Sequence, residues 1–511
     1  MDQLSPQDAQ FLYMEAEGNR THLTSIAIFD QSTVPDGGVV RFKDILAHIE
    51  SRLHMSPLLK RRLVRVPLEL DFPYWVDDEH FDLEYHVRHG RLPEPSDWRQ
   101  FCIHMARYHS RPLDMDRPLW EMYVCEGLDN VDGLPKGSYA IATKIHHAAA
   151  DGMALAEFFA TLADIDNKGT PAVPLNTSKL RRSPNPSIIE MGVRAAWHTV
   201  RSPLGLTDAV MRSAPNVYRF AQNALSSRQE DKWTIPNTRF NGRVSPHRMF
   251  GATAFRLDDF KAIRKAVPDS TINDIVLAVC GGALRHYLEK HDELPEESLI
   301  AWVPINARTI STADPGSAGN KVTSMTTPIF TDLQDSVERL HHIQASTVRS
   351  KAAKSGISAR LMTDLSQHVP AATQVLAGRL VLRAGMASRA CNLFISNVPG
   401  PQVPLYMNGA LQVGAYGLAP LVQGMGLFIA TPSYNGQITF NVTSTRELLP
   451  DIEFFIDCIS AEVAALMKAT LPKKRPATKQ KKKAASKKKP VTKKKKTASK
   501  KPTAGEKTSR A

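Results

Sequence analysis

The sequence predicts an α/β protein of two domains joined by a helical linker. Three observations carry that prediction. Strand-like alternation and helix-like spacing of apolar residues succeed one another in both halves of the chain, as an α/β architecture requires. Between the halves, Pro171, Pro174, Pro184 and Pro186 interrupt the pattern, and amphipathic helical stretches follow at residues 188–200 and 207–224. A chain of 511 residues, 42% hydrophobic and 23% charged, has the length and composition for two sizeable cores in a globular protein.

The first domain is expected over residues 1–170. Leu4-Ser5-Pro6-Gln7-Asp8 opens a turn or a helix. Residues 21–29 read as a strand with Leu23, Ser25, Ala27 and Phe29 on one face, and residues 41–53 as a helix through Phe42, Ile45, Leu46 and Ile49. Pro67, Pro73, Pro93 and Pro95 mark the next stretch as irregular; its histidines, His80, His86 and His89, lack metal-ligand spacing. A helix over 98–110, a strand over 121–126, a turn-rich connection over 127–137 and a strand over 138–145 complete the domain. The linker is placed at 171–245, where Trp197, Leu204, Leu206, Val210 and Met211 suit either packing across a domain interface or contact with lipid.

The second domain is expected over 246–471. It reads as a strand at 250–257, helices at 258–266 and 275–288, and a buried-type strand at 299–305 that ends in Asn306-Ala307-Arg308. A Gly/Asn-rich loop at 314–321, a strand at 322–330 and a long helix at 333–352 follow. From Ala390 through Thr445, 56 residues carry no charge. Pro399, Pro401, Pro404, Pro420 and Pro432 leave no run of the ~20 helix-compatible apolar residues that a membrane span needs. Asn435-Gly436 between two alternating runs instead signals a hairpin with a type I′ turn, and residues 450–467 form a closing helix.

The net charge of +14 belongs to an appendage. Residues 472–511 hold 18 of the 65 Lys and Arg against one of the 51 acids, Glu506, so the body carries 47 basic and 50 acidic residues. Without an aromatic, Leu or Ile, that tail cannot offset its ordering entropy and is expected to be disordered. Nonspecific contact with anionic lipid or nucleic acid suits it; lysine without aromatic interleaving gives no sequence readout. The five cysteines stand far apart, pointing to reduced, buried thiols in a cytoplasmic protein, and the first residues lack the features of a secretion signal.

The stretch that carries chemistry is His146-His147-Ala148-Ala149-Ala150-Asp151-Gly152. It lies between the strand at 138–145 and an expected helix at 153–165, with Asp151 placed as helix N-cap or first-turn acid. An imidazole on such a connection suits general-base work. No Gly-x-Ser-x-Gly elbow and no phosphate-binding loop motif occurs, which weakens hydrolase and nucleotide-hydrolysing readings. A histidine base without a nearby nucleophile motif suggests direct attack, and a neutral imidazole can take the proton of an acceptor hydroxyl that attacks an activated acyl group. The oxyanion then needs a hydrogen-bond donor.

This motif resembles the signature of the bacterial wax ester synthase/diacylglycerol acyltransferase family, related to chloramphenicol acetyltransferase and to peptide synthetase condensation domains. Leu4-Ser5-Pro6 with Asp8-Ala9 and Phe11, Pro73-Tyr74-Trp75-Val76 and His109-Ser110-Arg111-Pro112-Leu113-Asp114 are similar to further family stretches. So are Arg117-Pro118-Leu119-Trp120, Asn273-Asp274, Gly319-Asn320-Lys321 and Ser396-Asn397-Val398-Pro399-Gly400, in the family's order. The resemblance implies two chloramphenicol acetyltransferase-like domains with mixed sheets and an acyl-CoA tunnel between them. It implies transfer of a long-chain acyl group from acyl-CoA, as co-substrate and with no cofactor or metal, to diacylglycerol or to a long-chain alcohol.

By position, the resemblance makes His147 the general base, and Asp151 a structural acid for which Arg308 is the proposed partner. His146 supports His147, and Gly152 allows close approach of helix and strand. Asn273 either stabilises the oxyanion or holds a loop, and Ser396 and Asn397 either line the tunnel or shape a turn. Arg117-Pro118-Leu119-Trp120 reads as a packing motif. The expected setting is the periphery of a membrane or lipid droplet, with no transmembrane helix. A noncatalytic lipid- or nucleic-acid-binding protein acting through its tail is the alternative of another class, and an intact histidine motif argues against it.

Overall fold

The computed structural model describes residues 2–15, 18–149, 159, 161–169, 186–197, 233–306, 322–354, 373, 375 and 391–471. Its N-terminal half runs β1 (Asp2–Gln3), α1 (Pro6–Tyr13), β2 (His22–Asp30), α2 (Phe42–Arg52), β3 (Arg61–Val64) and β4 (Tyr74–Asp77). Then come α3 (Leu83–His86), β5 (Val87–Arg91), α4 (Trp98–Ser110), β6 (Trp120–Glu126) and β7 (Tyr139–His146). The C-terminal half runs β8 (Arg248–Arg256), α5 (Leu257–Ala266), α6 (Ile272–Lys290), β9 (Ile300–Asn306), β10 (Val322–Pro328) and α7 (Ser336–Lys354). It ends with β11 (Leu393–Pro399), β12 (Tyr406–Met407), β13 (Ala410–Leu418), β14 (Phe428–Tyr434), β15 (Gln437–Thr445) and α8 (Ile452–Thr470). The stretch between Pro67 and Pro95 that reads as irregular holds β4, α3 and β5. Its prolines fall outside these strands, where a missing N–H costs no ladder bond.

Two six-stranded mixed sheets organise the chain, ordered β12-β13-β2-β7-β6-β5 and β10-β9-β11-β14-β15-β8, beside a small sheet β1-β4-β3. In the first, β7 has partners on both sides and all eight of its residues are buried, so its C-terminal end is a rigid mount. In the second, β14 and β15 form the expected hairpin. Asn435 (φ 42°) and Gly436 (φ 79°) turn between paired Tyr434 and Gln437, both central residues at positive φ as a type I′ turn requires.

The largest core, from Phe240 to Leu466, and the next, from Phe29 to Leu162 with Met407 and Ala410, fall largely on either side of the expected division into 1–170 and 246–471. The two parts nevertheless exchange strands and share a third cluster. Strands β12 and β13 come from the C-terminal half, yet β13 pairs with β2 in the N-terminal sheet. The same strand reaches the other sheet: Gly417 N–H donates to Asn441 Oδ1 (3.1 Å) and Thr439 Oγ1 to the Ala415 carbonyl (3.0 Å). Trp98 Nε1 donates to the Ala252 carbonyl (3.1 Å), and Ile26, Phe101 and Cys102 share one core with Phe250, Ala252 and Leu418. Residues 1–471 form one compact unit. The physical reason is that an uncharged segment fits either sheet, and alternation along it does not name its partner.

The C-terminal core closes around α6, apolar on nearly every side as a helix buried all round must be. Gly281 and Gly282 give it room. A Cβ on Gly281 would lie 2.2 Å from the Ile329 carbonyl oxygen, and one on Gly282 2.5 Å from Arg339 Nη1. That space admits a buried ion pair from α7 to α8, Arg339 Nη1 to Glu462 Oε1 at 2.6 Å. The guanidinium also donates to the carbonyls of Phe330, Leu333 and Gln334. All five cysteines are free and buried, and burial pushes their thiol pKa values up, Cys391 to about 12. No helix among the described residues is long and apolar enough to cross a membrane. The tail lies outside the described residues.

Candidate active site

The site is built where β7 runs out. Backbone bonds fix its last residues from both sides: His146 N–H donates to the Leu119 carbonyl (3.0 Å) and His147 N–H to the Thr21 carbonyl (2.9 Å). The chain then turns, with Ala149 N–H on the His146 carbonyl (2.9 Å) and Ala148 N–H on His146 Nδ1 (3.1 Å). One histidine side chain therefore goes into the protein and the next comes out. His146 is fully buried, its Nε2 3.0 Å from Thr21 Oγ1 and 3.8 Å from Glu15 Oε2. His147 is half-buried, and its ring stacks on Phe11 with centroids 3.8 Å apart and planes 13° from parallel.

Helix α1 supplies that stacking partner, and local sequence explains why. Ser5 caps the helix by accepting from Asp8 N–H (3.1 Å) and returns a bond to Asp8 Oδ2 (2.6 Å), with Pro6 opening the first turn. Leu4 N–H donates to the Pro73 carbonyl (2.8 Å), and Leu4, Ala9 and Leu12 pack with Leu63, Phe72, Leu119 and Ala148. The short motifs at the N-terminus and at Pro73 thus hold Phe11 against His147.

Buried polar groups brace β7 from beneath. His22, opposite His146 on β2, donates from Nε2 to the His109 carbonyl (2.5 Å), and His109 Nδ1 meets Thr24 Oγ1 (2.8 Å). Burial holds both imidazoles well below the ordinary value of 6.5, reinforced by the positive charge of Lys144 and Arg248. Lys144, itself buried, donates to the Arg111 carbonyl (3.0 Å) and pairs with Glu121 (3.2 Å). Burial lowers its pKa, and Glu121 offsets part of that. At Glu15 burial works the other way, yet His146, Arg20 and the Thr21 backbone together hold its carboxyl below the usual range.

Of the residues expected at the site, the structure brings His146 and His147 together. Asp151, Gly152, Arg308 and the Asp151–Arg308 pairing lie outside the described residues. Asn273 is half-buried on the first turn of α6 and makes no side-chain hydrogen bond among them. The holding role belongs to its neighbour, since Asp274 caps the helix through Thr271 (2.7 Å) and accepts from Thr347 (2.9 Å). Ser396 and Asn397 stand on β11, opposite Ala430 and Thr431, which removes the turn reading. There β11 pairs with β9 only at Leu393 and Phe394 and continues along β14 alone. Arg117-Pro118-Leu119-Trp120 is a packing motif, with Arg117 on the His80 carbonyl (2.9 Å) and Trp120 Nε1 on that of Leu59 (3.0 Å). Among the described residues no group of three His, Cys, Asp or Glu side chains is placed to hold a metal.

Sequence reasoning missed Thr21 and Glu15, and it gave Phe11 no role beyond a place in a motif. The Ser5-Pro6-Gln7-Asp8 cap was the available signal for Phe11, because it fixes where a helix starts. Nothing local marks Thr21, whose partner His146 is 125 residues away.

Two mixed sheets bridged by β13, with an imidazole presented at the end of β7, give the fold of the chloramphenicol acetyltransferase-like acyltransferases. The structure of a trichothecene 15-O-acetyltransferase from Fusarium sporotrichioides shares it at a TM-score of 0.56, 11% identical, covering 91% of this chain and 94% of that one. The wax ester synthase/diacylglycerol acyltransferase catalytic domain matches residues 4–276 and the family's C-terminal domain matches residues 318–467. This chain belongs to that acyltransferase family. It is 30% identical to the O-acyltransferase WSD of Acinetobacter baylyi over 471 residues, 91% of this chain and 96% of that protein. The wax ester synthase/diacylglycerol acyltransferase of Marinobacter aquaeolei VT8 matches at a TM-score of 0.63 with 26% identity, over 92% of this chain and 99% of that one.

Proposed function

We propose that this enzyme moves a long-chain acyl group from acyl-CoA to the hydroxyl of diacylglycerol, with His147 as general base. The observation that supports this reading is the division of labour between the two histidines. Both ring nitrogens of His146 have protein partners in the interior, whereas the His147 ring is half-buried and braced on one face by Phe11. A neutral imidazole there takes the acceptor's proton as its oxygen attacks the thioester carbonyl. The tetrahedral intermediate collapses with cleavage of the C–S bond, and the imidazolium returns the proton to the departing thiolate. Ester and free CoA result, and atoms and charge balance. Asp151, paired in this reading with Arg308, orients the loop; Asn273, Ser396 and Asn397 are the polar groups offered to the oxyanion or the tunnel.

The test is turnover of labelled palmitoyl-CoA by the purified protein, with diacylglycerol or hexadecanol as acceptor. Triacylglycerol is the expected product, and His147→Ala lowers kcat by about 100- to 10,000-fold with an unchanged melting temperature. Wild-type turnover by His147→Ala removes the assignment, and the same assay on Arg308→Ala, expected inactive but folded, tests the pairing. A wax ester product instead of triacylglycerol selects the alcohol as acceptor, the second substrate in the family's name.

Such acceptors reside in lipid, and an apolar surface suits contact with it. Residues 188–197 are helical, with Met191 and Ala195 packed on Val66 and Tyr74 while Ile188, Ile189, Val193 and Trp197 face solvent. Leu68 and Leu70, on the connection between Val66 and Tyr74, are exposed as well. We read this face as the contact with a membrane or lipid-droplet surface, and the lysine-rich tail as an added attraction to anionic headgroups. Trp197→Ser then weakens sedimentation with neutral vesicles, and deleting residues 472–511 weakens it with anionic ones. Unchanged partitioning of both variants removes this reading, and loss of DNA binding alone assigns the tail to nucleic acid.

A further inference from the structure

Two hydrogen bonds of Thr21 share its hydroxyl oxygen, so their directions are mutually constrained. Its hydroxyl lies 2.8 Å from the Phe11 carbonyl, which only accepts, so the single hydroxyl proton is committed there. Toward His146 Nε2, 3.0 Å away, the same oxygen is then an acceptor, and Nε2 carries a proton. The other ring nitrogen, Nδ1, receives the Ala148 backbone N–H at 3.1 Å and so carries none. The partners assign His146 the ring orientation with a proton on Nε2 and a bare Nδ1, fully buried, with Glu15 Oε2 3.8 Å from Nε2. The Thr21 carbonyl meanwhile accepts from His147 N–H at 2.9 Å.

We infer that Thr21 is a positioning residue for the acyl transfer: it locks His146 in the tautomer whose Nδ1 caps the turn that presents His147. The opposite tautomer would set a ring N–H against the Ala148 N–H, two donors facing each other, and the turn would lose its cap. The same hydroxyl fixes the carbonyl of Phe11, whose ring backs His147. One side chain therefore aligns the base from two directions, through the turn and through the stacking partner. This rests on the reading of His147 as general base. It adds the reason for two consecutive histidines: the first is a turn cap made from a ring nitrogen, and the second is the reacting group.

The experiment is steady-state kinetics on purified full-length variants with palmitoyl-CoA and diacylglycerol, each checked by thermal unfolding. Thr21→Val keeps the shape and removes the hydroxyl. It is expected to lower kcat by about 10- to 100-fold, the scale of a small misplacement of a reacting group, while KM for palmitoyl-CoA stays within about twofold. Thr21→Ser restores kcat. In His146→Asn the amide oxygen stands in for Nδ1 and caps Ala148 without any tautomer to choose. In that background Thr21→Val is expected to cost much less than it does alone, the non-additivity of residues acting through one network.

Wild-type kcat in folded Thr21→Val overturns the role and leaves the His147 assignment standing. Failure of Thr21→Ser to restore kcat assigns the loss to packing of the methyl group and overturns it as well. If Thr21→Val does not fold, Thr21→Ala compared with Thr21→Ser decides on the same criterion. Wild-type kcat in His147→Ala instead removes the general-base reading, and the Thr21 role falls with it.

Discussion

Two regions of the molecule, the surroundings of helix α6 and the end of β7, are held by different forces. Around α6, burial is almost wholly apolar: thirteen of its nineteen residues are buried, and Asp274 is the only charged one among them. Around the end of β7 the buried groups are Thr21, His22, His109, Lys144 and His146, nearly all with directional partners. Apolar burial is non-directional and stabilises without specifying an angle. A hydrogen-bonded imidazole is specified down to its tautomer and ring plane, at the risk of a costly unpaired group when one partner is lost. The apolar packing around α6 supplies stability; the polar cluster at the end of β7 supplies orientation where an imidazole must meet a reacting hydroxyl.

The sharpest way to break that contrast is the buried ion pair beside α6, Arg339 with Glu462. Glu462→Ala leaves the Arg339 guanidinium buried without its carboxylate, because the remaining donors reach only the carbonyls of Phe330, Leu333 and Gln334. Removing one partner of a buried pair costs about 3–5 kcal/mol of folding stability, measurable by urea unfolding. Below the melting transition the variant is expected to keep wild-type kcat. That is the reverse of His147→Ala, which keeps its stability and loses turnover. A Glu462→Ala protein that unfolds like the wild type would show that the pair contributes little, and the contrast between the two regions would blur.

What was legible in the sequence follows the same division between local and distant causes. Helix α4, the strand β7, the β14–β15 hairpin and the closing helix α8 are written in spacing, caps and the Asn435-Gly436 pair, all within a few residues of where they act. The histidine motif is legible for the same reason. Strand β13 is not: it is irregular, with a register shift between Gln412 and Gly414, and its partner β2 lies at the other end of the chain. Strands β3 and β5 hide among prolines and charged residues, since edge positions tolerate both. The role of Thr21 was illegible because a threonine before a strand is ordinary until His146 arrives beside it.

A smaller and graded effect tests the polar cluster at the end of β7 directly. His22 and His109 are buried and held neutral, chiefly by desolvation and then by the charges that face them, Lys144 and Arg248. In the unfolded chain each titrates near 6.5. As pH falls through that value the unfolded state takes up protons that the native pair refuses, so stability is complete above it and is lost below it. Each such histidine contributes a slope of up to about 1.4 kcal/mol per pH unit. His48, His86 and His104 are depressed in the same direction, so acid sensitivity alone does not identify the pair. His109→Gln keeps an amide able to meet Thr24 and cannot titrate. It is expected to flatten the dependence of unfolding free energy on pH between 6.5 and 5 by one histidine's share, about 1.4 kcal/mol per unit at most. An unchanged slope would mean that His109 carries its proton in the folded protein, and that the braces beneath β7 are ion-dipole contacts instead of neutral hydrogen bonds.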